Sequence, residues 1–123
     1  GSHTKEEYLL AVSTLSVYDL KSVVLRMTFD EALEHFSDNF FDFIYIDGYA
    51  HTGQNDGKDF ENWWPKLKTG GIFSGHDYDK RWINSFNAIN RFCEKIGYNP
   101  IKICGFPGND YSDQFDSWYI QKL

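Results

Sequence analysis

The sequence predicts an α/β fold in which a mostly parallel, Rossmann-like sheet ends in an antiparallel hairpin. Two short apolar runs each stop at an acidic residue, an amphipathic helical pattern lies between them, and two further strand patterns close the chain. An order of strand, helix and strand favours a parallel pair. Ligands bind such sheets beyond the carboxyl ends of the strands. The acidic ends of the two runs therefore predict where the functional edge lies.

Length and charge limit the classes of protein. The 123 residues suit one α/β domain, which we expect over residues 4–123, because Gly1-Ser2-His3 is typical of a cleaved purification tag. The net charge is −6 and the twelve Lys and Arg residues are scattered, so no nucleic-acid partner is expected. No apolar run approaches the ~20 residues that span a bilayer. Cys93 and Cys104 suit reduced, largely buried thiols, and together these features predict a cytoplasmic protein without a membrane partner.

The first third of the chain reads as helix, strand and helix. Apolar residues at helical spacing predict an amphipathic helix over 5–16. The β-branched run 22–27 predicts a short strand. Thr28, with Glu31 three residues later, is a capping-box signature for a helix over 29–36.

The rest of the chain continues the α/β alternation. A strand ends at Asp47 and is followed by a polar loop over 48–57. A helix over 58–68 contains Pro65, which must kink or end it. After the turn 69–71 a strand ends at His76, and the helix 82–96 ends at Gly97. Strands over 99–104 and 115–120 flank a polar loop over 105–114.

Three segments in this order resemble class I S-adenosylmethionine-dependent methyltransferases. They are Asp-Phe-Ile-Tyr-Ile-Asp-Gly at 42–48, Trp-Pro-Lys-Leu-Lys-Thr-Gly-Gly at 64–71 and Ile-Phe-Ser-Gly-His-Asp-Tyr at 72–78. They are most similar to the branch whose strands end in Ile-Asp-Gly and His-Asp. The resemblance implies S-adenosylmethionine as cofactor and methyl transfer to an oxygen of a small molecule or sugar.

The resemblance is to the C-terminal half of that fold. The family's first strand, its Gly-x-Gly loop and the acidic residue that holds the cofactor ribose have no counterpart in these residues. We therefore expect a truncated domain, and cofactor-binding residues are unassigned. The alternative is a non-catalytic α/β remnant or binding module that does not bind the cofactor alone.

Truncation would expose one edge of the strand that ends at Asp47. An uncovered apolar edge is prone to pairing with other strands. We expect the strand 22–27 to lie beside it, since crossovers favour neighbouring parallel strands. The competing solution is a homodimer in which a second chain covers the edge.

Candidate site residues cluster at the two strand ends. Some members of the resembled family hold a divalent metal at such positions, which implies Asp47, His76 and Asp77 as ligands. Carboxylates suit Mg²⁺, and an imidazole shifts the preference toward transition metals. Alternatively, Asp47 is a turn residue and Asp77 accepts backbone N–H bonds.

His51 and Asp47 are the predicted catalytic residues. His51 could act as a general base on a substrate hydroxyl, because an imidazole titrates near neutral pH. The alternative is an exposed loop histidine. Two further sets of side chains each have two open roles. Gln54, Asn55 and Asp56 are substrate contacts or turn formers, and Tyr45, Tyr49, Tyr78 and Trp82 line an apolar pocket or belong to the core. Asp110, Tyr111 and Asp113 are expected to be solvated loop residues.

Overall fold

The structure is a computed structural model that describes residues 4–105 and 114–123, without the side chains of residues 19 and 20. The chain divides into two compact units, residues 1–35 and residues 36–123. The single domain expected over 4–123 stays a prediction. The predicted tag remnant and the loop residues Asp110, Tyr111 and Asp113 lie outside the described residues.

The first unit contains two helices with capped starts. Helix α1 spans Lys5–Leu15, and a 3-10 helix follows over Ser16–Lys21. Helix α2 spans only Phe29–Leu33, shorter than predicted. At each start a threonine hydroxyl accepts a backbone N–H three residues on, with donor–acceptor distances of 3.1 Å for Glu7 and 3.1 Å for Glu31. Neither α1 nor α2 contains a buried residue.

The predicted strand over 22–27 was wrong. The structure assigns no strand there, and the described sheet takes no strand from this segment. A β-branched run favours strand geometry, but a strand also needs a ladder of backbone hydrogen bonds to a partner. The predicted pairing of this segment, as a strand, with the strand that ends at Asp47 is therefore also wrong for the described sheet.

The second unit alternates strands and helices as predicted. Its elements are β1 (Phe41–Ile46), α3 (Lys58–Trp63), β2 (Leu67–Gly75), α4 (Ile83–Ile96), β3 (Ile101–Ile103) and β4 (Ser117–Gln121). The chain leaves α3 through a 3-10 turn over Trp64–Lys66 that contains Pro65. The predicted helix over 58–68 is thus shorter, because proline has no N–H to continue it. Gly97 ends α4 with φ +80°.

The described strands form one mixed sheet in the order β1-β2-β4-β3. β1 and β2 are parallel, with Ile46 opposite Gly75 at their carboxyl ends. β4 is antiparallel to both β2 and β3, which confirms the closing antiparallel hairpin. The α/β fold class is therefore confirmed, and the parallel pair sets the edge at which the site lies.

Within the second unit, helices α3 and α4 pack on one face of the sheet. Phe73, Trp118 and Ile120 are almost fully buried, and the rings of Phe73 and Trp118 pack with Phe60 of α3, while Phe73 also packs with Phe92 of α4. The rings of Phe60 and Trp118, for example, lie 5.6 Å apart. On the opposite face Phe43, Tyr45, Ile101 and Ile103 are between 45% and 58% exposed, whereas Ile72 and Tyr119 are half-buried.

The open edge of β1 remains relevant to the predicted homodimer. β1 is an end strand of the four-stranded sheet and has no second partner strand among the described residues. Pairing with another copy of the chain stays a prediction.

Two further expectations concern the whole chain. No helix among residues 4–105 and 114–123 is both long enough and apolar enough to cross a bilayer. Both cysteines are free, but only Cys93 is buried; Cys104 is exposed, so the expectation that both are largely buried was wrong for it.

Candidate functional site

Asp47 and His76–Asp77 meet at the carboxyl edge of the parallel pair. Asp47 follows β1 directly, and His76 and Asp77 follow β2. The backbone N–H of His76 donates to the carbonyl of Ile46 at 3.2 Å, which continues the β1–β2 contact past the last strand residues. Sequence reasoning therefore located this cluster correctly.

The three side chains are in ionic contact. The Nδ1 atom of His76 lies 3.2 Å from Oδ1 of Asp77 and 3.7 Å from Oδ1 of Asp47. The side chains of His76 and Asp77 are 15% and 11% exposed, whereas that of Asp47 is 53% exposed. Asp47 is thus the residue of the three that a small molecule could reach from solvent.

The carboxylates change the charge state of the imidazole. Asp47 and then Asp77 raise the pKa of His76 to about 10, against the opposing effect of burial. His76 is therefore an imidazolium at neutral pH in this arrangement, and it cannot accept a proton. The cluster instead presents carboxylate oxygens beside a fixed positive charge.

The backbone at Asp77 is unusual for a residue with a side chain. Its φ is +57°, in the left-handed region that glycine prefers. Aspartate tolerates this conformation better than most residues, yet it still costs roughly 1–2 kcal/mol. This backbone sits next to the ion-paired imidazole, and such outliers are often found at functional sites.

Tyr45 extends the cluster along the exposed sheet face. Its hydroxyl is hydrogen-bonded with Oγ of Ser117 at 3.1 Å. Burial raises the pKa of the Tyr45 phenol, the hydrogen bond with Ser117 acts in the opposite direction, and the charges of Asp47 and Asp77 raise it further. Tyr45 is thus a neutral, 45% exposed hydroxyl beside the two carboxylates.

His51 lies in an aromatic row. Its ring centroid is 5.0 Å from that of Tyr49 and 4.7 Å from that of Trp82. The row continues from Trp82 to Phe115 at 5.5 Å and from Phe115 to His76 at 6.4 Å. His51 is exposed and does not belong to the cluster of Asp47, His76 and Asp77. The role of His51 as general base and the catalytic role of Asp47 stay predictions.

The loop over 48–57 is ordered by an unexpected left-handed turn. A 3-10 turn over Ala50–Thr52 leads into residues Gly53–Asp56, all of which have positive φ. The turn places Gln54 inside the protein, where it is 1% exposed, and its Oε1 accepts the N–H of Gly48 at 2.9 Å.

The sequence left open whether Gln54 contacts a substrate or forms a turn, and the structure places it in a turn with its side chain buried. Glycines at both ends of three polar residues were the signal that could have indicated a left-handed turn. The neighbouring Asp56 is exposed and pairs with Arg91 at 2.9 Å.

The aromatic residues left open between pocket and core lie in different surroundings. Tyr78 packs on α4, where its ring stacks on Phe86 at 4.9 Å and its hydroxyl donates to Oδ1 of Asn90 at 2.7 Å. Tyr49 and Trp82 instead flank His51. Of the two roles left open, Tyr78 thus packs against a helix, whereas Tyr49 and Trp82 lie beside His51.

The cluster offers a donor set for a divalent ion. One ligand atom from each of Asp47, His76 and Asp77 can be chosen so that all lie within 4.8 Å of one another. Two carboxylates and one imidazole suit a transition metal as well as Mg²⁺. A metal on Nδ1 would require His76 to lose the proton that it shares with the carboxylates.

Comparisons with known proteins identify the family and the fold. A family described as a methyltransferase domain matches residues 2–78, which include both strand ends. An uncharacterised protein, y4gI, of Sinorhizobium fredii is 35% identical over 81 residues, which are 66% of this chain and 9% of that protein.

Solved structures show the same fold. A spermidine synthase in complex with the transition-state analogue AdoDATO superposes with a TM-score of 0.68 at 21% identity, over 96% of this chain and 42% of that one. The spermidine synthase from Thermotoga maritima gives 0.64 at 19% identity, over 96% and 39%. The chain thus spans less than half the length of these proteins. The family match, which covers more than half of the chain and includes Asp47, His76 and Asp77, shows that the chain belongs to the methyltransferase domain family.

Proposed function

We propose that this chain carries the acceptor side of an S-adenosylmethionine-dependent methyltransferase that methylates a hydroxyl oxygen of a small molecule or sugar. The observation that carries the proposal is the convergence of Asp47 and His76–Asp77 at the carboxyl edge of two adjacent parallel strands. Ligands of open α/β sheets bind at that edge.

The described residues fit an acceptor better than they fit the cofactor. β1 runs into Asp47-Gly48 and β2 into His76-Asp77, so neither parallel strand is followed by a Gly-x-Gly pattern within the described residues. S-adenosylmethionine, when bound, supplies a methyl group on a sulfonium centre. We assign none of the described residues to it.

The residues present can bind and activate a hydroxyl. The 53% exposed carboxylate of Asp47 can accept the hydroxyl proton, which positions the oxygen and increases its nucleophilicity. The imidazolium of His76 stabilises negative charge on that oxygen. A divalent ion held by Asp47, His76 and Asp77 would supply the same positive charge and lower the pKa of the hydroxyl. His51 and the rings beside it form the adjacent apolar surface.

The test is methyl transfer from labelled S-adenosylmethionine to a panel of sugars and small hydroxyl compounds, with cofactor binding measured by calorimetry. Asp47→Asn should lower kcat by about 100-fold or more, the usual effect of losing a general base. Asp42→Asn is the matched control, because Asp42 is 86% exposed at the amino end of β1 and pairs with Lys68. Its activity should be unchanged.

Two results would contradict the proposal. Equal activity of the Asp47→Asn and Asp42→Asn variants would remove the acceptor role of the cluster. No cofactor binding at millimolar concentration would show that the chain is not a self-sufficient enzyme and would favour a non-catalytic binding module.

A further inference from the structure

We propose that Gln54 is a positioning residue that holds the Asp47–Gly48 turn and thereby sets the direction of the Asp47 carboxylate. The consequence for acceptor activation rests on the proposed function above. The hydrogen bond to Gly48 and its effect on Asp47 can be tested without cofactor or acceptor.

The Asp47–Gly48 turn needs a hydrogen bond from outside the strand, because it lies just beyond the β1–β2 ladder. Before Asp47 the backbone is held by the β1–β2 ladder, up to the bond from the His76 N–H to the Ile46 carbonyl. After Asp47 comes Gly48, the residue type with the greatest backbone freedom. The Oε1 atom of Gln54, 2.9 Å from the Gly48 nitrogen, holds the peptide on that side. Asp47 is thus held from both directions.

The orientation of the Asp47 carboxylate depends strongly on that backbone. Its side chain is 53% exposed, and its recorded ionic contact is the 3.7 Å approach to Nδ1 of His76. The Nδ1–Oδ1 distance of 3.7 Å is longer than a hydrogen bond, so this contact does not fix the direction of a half-exposed carboxylate. The backbone therefore has a large share in keeping Asp47 directed at His76.

A strained turn brings Gln54 to this place. Gln54 and Asn55 have φ values of +54° and +56°, which are unfavourable for residues with side chains. The turn closes through a bond from the Gly57 N–H to the Gly53 carbonyl at 2.9 Å, and the hydroxyl of Thr52 accepts the Asn55 N–H at 3.1 Å. The turn thus directs the side chain of Gln54 inward under Gly48.

The Nε2 end of the Gln54 side-chain amide destabilises the fold. The Gly48 N–H requires an acceptor, so the oxygen faces Gly48 and the Nε2 atom takes the other position. Nε2 is buried and has no hydrogen-bond partner among the described residues. A buried donor without an acceptor destabilises the fold. A methionine would fill a similar volume without this cost, so positioning and stability can be separated at this residue.

The experiment compares the Gln54→Met variant with Ser85→Ala by NMR. Ser85 is the matched control, because its buried hydroxyl also has no hydrogen-bond partner within the described part of the chain and it lies on α4. In the wild type the Gly48 amide should exchange slowly with solvent. Gln54→Met should speed this exchange about five- to tenfold, the effect expected of one net hydrogen bond. It should also shift the Nδ1 signal of His76 while leaving the denaturation midpoint equal or higher. Ser85→Ala should leave both signals unchanged.

A second variant tests whether an acceptor oxygen at residue 54 is sufficient, and three results would overturn the proposal. Gln54→Glu keeps an acceptor oxygen at the same reach and should restore slow exchange of Gly48. An unprotected Gly48 amide in the wild type overturns the proposal even if the methionine variant does not fold. Unchanged Gly48 and His76 signals in Gln54→Met, or a uniform loss of protection across the whole molecule, overturn it too. Because no methyl transfer is measured, failure of the proposed function would leave these readouts intact.

Discussion

Replacing Gly53 by alanine should detach the site loop from α4, and the structure allows its cost to be worked out. A Cβ on Gly53 would lie 2.6 Å from the carbonyl oxygen of Asn84 and 3.3 Å from Cβ of Ala88. The first contact is with backbone of a helix, which cannot move aside as a flexible side chain can. Asn84 also donates from Nδ2 to the carbonyl of His51 at 2.8 Å, so the same helical turn holds the loop at two points.

The expected cost has two parts. An alanine at φ +65° costs roughly 1–2 kcal/mol relative to glycine. Opening the close contact with Asn84 adds about 1–3 kcal/mol, as for overpacked cores. The total destabilisation is therefore about 2–5 kcal/mol.

Gly97→Ala is the matched control for the first part. Gly97 also has positive φ, +80°, but a Cβ there would meet nothing within 4 Å. Its cost should be limited to about 1–2 kcal/mol. The entropy that alanine removes from the unfolded chain is common to both variants and cancels in their difference.

Urea denaturation followed by circular dichroism measures both free energies of unfolding. Gly53→Ala should be the less stable variant by about 1–3 kcal/mol, with an unchanged dependence of the free energy on urea concentration. Equal destabilisation of the two variants would show that the loop does not pack on α4 at Asn84, and would refute the reasoning.

Three further changes test other parts of the second unit. Gly75→Ala would place a Cβ 2.7 Å from the Ile46 carbonyl and 2.8 Å from Nε1 of the buried Trp118, so it should cost at least about 1–3 kcal/mol in thermal unfolding; a wild-type midpoint would contradict this packing. Hydrogen bonds from Arg81 lower the pKa of Asp79 from 3.8 to about 2, so this carboxylate stabilises the fold above pH 3.8 and the gain is lost as the pH falls through about 2. In Asp79→Asn the free energy of unfolding should therefore fall less steeply at acid pH than in the wild type. The same acid dependence in both proteins would show that the Asp79–Arg81 pair contributes nothing to stability. If a second copy pairs with β1, light scattering should show a dimer that Phe43→Lys converts to a monomer, whereas a monomeric wild type excludes the pairing.

Much of the fold follows from local patterns. The helix α4 was predicted nearly to the residue, because its apolar residues recur at helical spacing and a glycine ends it. The strands that precede Asp47 and His76 were predicted because apolar runs with turn signals at both ends are strong strand signals. The run over 22–27 has an equally good composition, yet it forms no strand. Composition describes one segment, whereas a strand depends on the partner beside it.

The sequence by itself determined that Asp47 and His76–Asp77 lie together, since consecutive parallel strands end at one edge of a sheet. Only the tertiary structure decided what surrounds them. Tyr78 turns away to stack on Phe86, and Gln54, a polar residue in a glycine-rich loop, is buried under Gly48. These outcomes depend on backbone conformation at single residues and on contacts between distant segments. Neither leaves a periodic signal in the chain, so the parallel pairing of the two strands could be predicted while the shape of the site could not.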